Sequence, residues 1–301
     1  DGGVGGYLSN KSSVNPEMYN WNKAFVVYCD GGSRAGNVAG PVHVGNETVF
    51  FRGAQILNAT LESLADAGLR RARNLIVGGC SAGGLTVWLH LDYIRQQFPA
   101  TRVVGLPQCG FFMDLPNYAG SPHYTPLYRW LFETMNMQNS PSLRPKCFEQ
   151  HAEEPWRCFM AQYLLPFVET PVFVVNSFYD SWQMGQILEM PDSCTFKKNC
   201  TEQQKTAQHA LRNSLVGNLS SVKAPSSYFL YSCVSHCQYL NLDYGWTRLT
   251  SGNLTLRDAF MSWFHGGSSF VAAATEEPNE NPTCWPLQKA KRSSRATVVF
   301  V

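Results

Sequence analysis

Asn74-Leu75-Ile76-Val77-Gly78-Gly79-Cys80-Ser81-Ala82-Gly83-Gly84 is the stretch on which the reading of this chain turns. Asn74–Val77 is a short apolar run of strand character. Leu85–Phe98 follows with apolar residues at helical spacing, stopped by Pro99. Between them Gly79–Gly83 matches G-x-S-x-G, the turn that exposes a nucleophilic serine between a strand and a helix. A serine on so tight a turn tolerates only small neighbours, and the glycines let strand and helix approach closely. The helix N-terminus then lies under the reacting centre, with the Ala82 N–H directed at a developing oxyanion. The bland alternative is a glycine-rich connector, since the motif alone occurs by chance; its strand–helix context argues against that.

Working outward, further strands are predicted over 24–28, 102–106, 170–176 and 227–231, and helices over about 53–67, 202–215 and 256–264. Strands alternating with helices imply a mostly parallel sheet covered on both faces, the layout of an α/β-hydrolase fold. One domain is expected over 1–285. Within it, 115–165 reads as an irregular, aromatic, cap-like insertion. Residues 286–301 carry Lys289, Lys291, Arg292 and Arg295 and read as a mobile basic tail.

Apolar residues make up 44% of the 301, enough for a sizeable core, so disorder as the overall state is excluded. Net charge is only +2, without the basic footprint of a nucleic-acid binder. No apolar run reaches about 18 residues, so no membrane span is expected. The close cysteine pairs Cys147/Cys158 and Cys194/Cys200 read as local disulfides, which persist in oxidising compartments. Six N-x-[ST] sequons, at Asn10, Asn46, Asn58, Asn199, Asn218 and Asn253, agree with a secreted, extracellular or cell-wall glycoprotein. The chain opens at Asp1-Gly2-Gly3 without a methionine or a signal-peptide core, so it reads as processed or truncated.

A serine needs a histidine to take its proton and a carboxylate to orient that histidine. Asp180 lies just beyond the strand Thr170–Asn176, where such sites are built. Asp114 also follows a strand and is the rival. Of seven histidines, His43 precedes the serine, His90 and His209 lie on helices, His123 and His151 fall in the insertion, and His265 follows the last helix. His236 sits directly after the strand Ser227–Tyr231, between Cys233 and Cys237, whose disulfides would pin the loop. A structural histidine and a metal ligand in a Cys/His cluster are the competing readings; the spacing fits no common zinc pattern, so no metal and no cofactor are expected. Tyr179 and Trp182 flank the acid and are candidates either for the pocket wall or for packing beneath it.

With Ser81, Asp180 and His236 assembled, the chain resembles the pectin acetylesterase family, which also contains the animal enzyme Notum. The likeness runs from about Tyr7 to Phe264. It is carried by Asn20–Lys23 with Tyr28–Gly31, Phe51–Gly53, Gly79–Gly84, Gly110–Asp114, Asn176–Gln183 and Ser235–Gln238, and looks closer to the plant-type members. The resemblance implies a secreted, metal-free serine carboxylesterase whose triad maps onto Ser81, Asp180 and His236. Two departures stand out. The family's glycine-rich stretch before this region, which supplies oxyanion donors, has no counterpart here, so a fragment lacking N-terminal strands or a weak homologue is expected. Gln108 stands near where the family has an aspartate. The leading function is deacetylation of an acetylated extracellular polysaccharide such as pectin. The alternatives are a non-catalytic homologue that binds glycan and a Notum-like protein deacylase.

Overall fold

The computed structural model describes residues 5–300 apart from 198, 223–224, 238, 241, 268–269, 273–276 and 285–296. In chain order the strands are β1 (Ala24–Val27), β2 (Val42–Val44), β3 (Glu47–Val49), β4 (Asn74–Cys80), β5 (Arg102–Gln108), β6 (Phe173–Ser177), β7 (Ser227–Tyr231), β8 (Thr250–Ser251), β9 (Leu254–Thr255), β10 (Phe270–Ala272) and β11 (Thr297–Phe300). The α-helices are α1 (Gly53–Asp66), α2 (Ala82–Gln97), α3 (Thr125–Thr134), α4 (Pro145–Gln150), α5 (Ala161–Leu164), α6 (Ser181–Gln186), α7 (Asp192–Thr195), α8 (Glu202–Leu219), α9 (Asp243–Arg248) and α10 (Leu256–Phe264). The main sheet has the order β1-β11-β4-β5-β6-β7-β10. From β4 to β10 every neighbouring pair is parallel, whereas β11 runs antiparallel to both β1 and β4.

Successive side chains of a strand point to opposite faces, and the core divides accordingly. Leu75, Val77, Val103, Val174 and Leu230 join the cluster under α1, α2, α8 and the 115–165 segment. Ile76, Val104, Leu106, Phe173, Val175 and Phe229 join the cluster beneath α9 and α10, which also takes in Tyr7 and Leu8. A sheet buried on both faces reads as continuous apolar runs, as these strands do. This is an α/β-hydrolase fold.

Two expectations are corrected. Residues 115–165 are irregular only as far as 124: from Thr125 on they form α3, α4 and α5 with intervening 3₁₀ turns. Proline stands at a first or second helical position of α3, α4 and the turn Pro155–Phe159, where its missing N–H costs nothing. These pieces are too short to show a helical period in sequence. The Arg144 guanidinium just before α4 pairs with Asp92 of α2, whose carboxylate also accepts from the Thr170 N–H at 2.8 Å. The Cys147–Cys158 disulfide closes the segment on itself. The second correction concerns the tail. Thr297–Phe300 is a β-branched and aromatic run that satisfies its backbone between β1 and β4, so the chain does not end as a mobile tail there. The basic residues Lys289, Lys291, Arg292 and Arg295 lie outside the described residues.

Candidate active site

Strand β4 extends through Gly78, Gly79 and Cys80, and α2 starts at Ala82, so Ser81 alone makes the turn. Its backbone is at φ 59° and ψ −125°, a region that costs a non-glycine residue about 1–3 kcal/mol and persists only where the surroundings enforce it. The enforcement is visible. The Ser81 N–H donates to the Gln108 carbonyl at 3.0 Å. A Cβ on Gly79 would stand 2.4 Å from the Gly83 carbonyl oxygen, and one on Gly84 2.5 Å from that of Gln108. Only glycine permits this approach of β4, α2 and β5. The Ala82 N–H belongs to the first turn of α2, whose leading N–H groups have no intrahelical acceptor.

The acid and the base meet because β6 and β7 stay together beyond their last residues. The Phe178 N–H donates to the Tyr231 carbonyl at 2.9 Å, and Ser177 Oγ to the Cys233 carbonyl at 2.7 Å. A further parallel bridge joins Asp180 to Ser235. Asp180 is fully buried and caps α6, its Oδ1 accepting from the Trp182 and Gln183 N–H groups at 3.1 and 3.0 Å. His236 Nδ1 lies 2.8 Å from Asp180 Oδ2 and 3.0 Å from Oδ1. Burial alone pulls the His236 imidazole down; the charge and hydrogen bond of Asp180 outweigh it and hold the imidazole above the usual histidine range. The other ring nitrogen, Nε2, is buried and has no hydrogen-bond partner among the described residues.

Ser81 and Ala82 open into a cleft of about 260 Å³. Its walls are largely aromatic, with Tyr124, Tyr128, Phe112 and Phe159, and Tyr28 and Ser33 of the β1–β2 connection add polar groups. Trp182 lines the cleft and stacks on His236, with ring centroids 6.0 Å apart and planes inclined by 26°. Tyr179 does not line it; its side chain is buried in the core, in the same cluster as the adjacent Phe178. Asp114, the rival acid, instead accepts from Tyr163 Oη at 2.7 Å and from Thr125 Oγ1, tying the insertion together. His90 is buried, with Nε2 2.8 Å from the Ser33 carbonyl oxygen.

Sequence reasoning missed three contributors. Tyr28 and Ser33 stand far from the motif in sequence; Tyr28 belongs to a stretch that carries the family resemblance, but nothing in it points to the cleft. Cys109, buried and unpaired at the end of β5, places its sulfur within 4.8 Å of donor atoms of Asp180 and His236. These are the donor types of a soft divalent ion, but here the carboxylate and Nδ1 are already committed to each other. The pairing of Cys80 with Cys237 joins the residue before Ser81 to the residue after His236. The flanking cysteines were expected to pin this loop; their actual partners are Cys80 and Cys284. The two expected local disulfides, Cys147–Cys158 and Cys194–Cys200, are both present. Gln238, the last residue of the resemblance, lies outside the described residues.

A family model described as pectinacetylesterase matches residues 2–285. Pectin acetylesterase 7 of Arabidopsis thaliana is 33% identical over 303 residues, covering 94% of this chain and 75% of the relative. The palmitoleoyl-protein carboxylesterase Notum of Drosophila melanogaster is 29% identical over 279 residues, covering 88% of this chain and 39% of that protein. Among solved structures, the Wnt deacylase Notum from Drosophila superposes with a TM-score of 0.80 at 27% identity, over 94% of this chain and 80% of that one. A serine elbow, a neighbouring acid–base pair and a match along nearly the whole chain agree: this chain belongs to the pectinacetylesterase family of carboxylesterases.

Proposed function

We propose that this chain removes acetyl groups from an acetylated extracellular polysaccharide, pectin, with Ser81 as nucleophile, His236 as base and Asp180 as its orienting acid. The observation that carries this reading is the Asp180–His236 pair at the ends of β6 and β7, beside a serine held at positive φ on the end of β4. Asp180 binds Nδ1–H and so keeps the lone pair of the neutral ring on Nε2. Nε2 has no competing partner among the described residues, and it takes the Ser81 proton as Oγ attacks the ester carbonyl. The Ala82 N–H stabilises the oxyanion of the tetrahedral intermediate. That intermediate collapses to acetyl-Ser81, and the sugar hydroxyl leaves with the proton from Nε2. Water, deprotonated by the same nitrogen, then releases acetate.

The aromatic walls, Trp182 and Tyr124 among them, suit the apolar face of a sugar ring and the acetyl methyl. Four disulfides accord with an oxidising compartment, and among the described residues no helix is long and apolar enough to cross a membrane. On the ground of the disulfides we assign the protein to the extracellular space or cell wall.

The test is intact-mass spectrometry after treatment with a fluorophosphonate, alongside acetate release from acetylated pectin. One adduct on the parent, none on Ser81→Ala, and acetate release only by the parent are expected. Acetate release by the folded Ser81→Ala variant would overturn the mechanism. A labelled parent that cleaves long-chain acyl esters but not acetyl esters would overturn the substrate.

A further inference from the structure

Cys80 immediately precedes Ser81 and Cys237 immediately follows His236, and the two are bonded across 157 residues of chain, with Cα atoms 5.7 Å apart. A single covalent link therefore closes the shortest path between the groups that must exchange a proton. What each side contributes differs. Ser81 is held by its own turn, through the Gln108 carbonyl and the Gly79–Gly83 contact. His236 rides on a loop. Upstream it is anchored by Cys233–Cys284, by the Val234 N–H on Asn279 Oδ1 at 2.8 Å, and by the Asp180–Ser235 bridge. Downstream, Cys237 is tied to the last residue of β4. Cys237 has φ 63°, a left-handed conformation that a non-glycine residue holds only when its neighbours over-determine it.

Asp180 sets the distance and tilt of the ring from the Nδ1 side. Among the described residues no hydrogen bond reaches Nε2 to set it from the side of Ser81. The separation of Nε2 from Oγ therefore rests on the backbone on both sides of His236. A misplacement of about 1 Å at such a centre costs on the order of 10²-fold in rate.

We propose that the Cys80–Cys237 disulfide is the positioning element that keeps base and nucleophile in register, and that opening it switches the esterase off while the sheet stays folded. The proposal rests on the triad assigned above. Cys237 is only partly buried, which makes its side of the bond the one at which a dithiol reductant attacks. One thiolate of the dithiol attacks Cys237 Sγ, and Cys80 leaves as a thiolate and takes a proton. The second thiol then displaces Cys237, which is protonated in turn. Two electrons pass from the dithiol, which ends as its disulfide, to the protein, which ends with two thiols.

The test compares the parent with a Cys80→Ala/Cys237→Ala double variant. Steady-state hydrolysis of an acetyl ester, the rate of fluorophosphonate labelling at Ser81, and near-ultraviolet circular dichroism are measured on both. With the dichroism unchanged, kcat is expected to fall about 10- to 100-fold and labelling to slow in step, while KM moves by less than about threefold. A folded double variant whose kcat stays within about twofold of the parent overturns the proposal. If the double variant does not fold, the native protein is titrated with dithiothreitol and its cysteines are mapped by alkylation. Labelling should then fall with opening of Cys80–Cys237, rather than with opening of Cys194–Cys200, and return on reoxidation. Full labelling with Cys80 and Cys237 alkylated overturns the proposal while leaving the triad intact. An oxidised parent that is itself unlabelled overturns the triad, and this inference with it.

Discussion

Asp180 performs two tasks with one carboxylate: it caps α6 through Oδ1 and it holds His236 Nδ1. Asparagine keeps an oxygen acceptor for the cap but loses the charge and the preference for the productive tautomer. Asp180→Asn is therefore expected to lower kcat by about 10³- to 10⁴-fold, as loss of the orienting acid does in serine hydrolases generally, while the thermal midpoint changes little. Steady-state kinetics on an acetyl ester and a thermal melt check the two halves. Asp180 also raises the imidazole, and only neutral His236 can accept the Ser81 proton. Activity should thus be present at high pH and lost on acidification, with the acidic limb of kcat/KM centred above about 6.5, the ordinary histidine value. A limb centred below that value would mean that Asp180 does not dominate the environment of the ring.

At the level of elements, the strand ends carry the chemistry and the 115–165 helices roof it. The roof is fastened to the body by Arg144 and Asp92, a pair whose side chains are each about one-tenth exposed. Burial lowers the Arg144 guanidinium to about 10, against the opposing charge of Glu169. Removing one member leaves the other charge buried and unpaired, at a cost of about 3–5 kcal/mol. Arg144→Ala should thus lower stability by that order in urea unfolding. The effect should extend to the cleft, because α3 supplies Tyr124-adjacent wall residues such as Leu127 and Tyr128. Unfolding free energy and KM measured together test this: a variant with parent-like values of both would show that the fastening is dispensable.

For the whole molecule, two histidines make stability depend on pH in opposite directions. His236 is raised, so its contribution is complete below the unfolded value of about 6.5 and is lost as pH rises through its folded value. His90 is lowered to about 4 by burial, its bond to the Ser33 carbonyl not compensating. The unfolded chain therefore takes up a proton between about 6.5 and 4 that the folded chain refuses, and stability falls across that window by about 3 kcal/mol. A His90→Gln variant should show a flatter decline of melting temperature from pH 6.5 to 4 than the parent. An identical slope would place the acid sensitivity in other groups.

Much of this protein was legible in its residues. The apolar strands, the elbow Gly79–Gly83, and Asp180 and His236 each at the end of a strand can be read because strand period, turn chemistry and chain order are local properties. The family likeness rests on the same short motifs. What lay beyond reading depends on contacts between distant residues. The placement of Thr297–Phe300 between β1 and β4 is a matter of which open strand edges remain, and the run itself names no partner. Tyr28 and Ser33 reach the cleft only because β1 lies two strands from β4. Asp114 lost to Asp180 because the continued pairing of β6 with β7 brings Ser235, and so His236, beside Asp180. The partner of Cys80 was decided in the same way. Cysteine spacing announces bonds between near neighbours, whereas a bond across 157 residues exists only once the sheet has brought the ends of β4 and β7 to one edge.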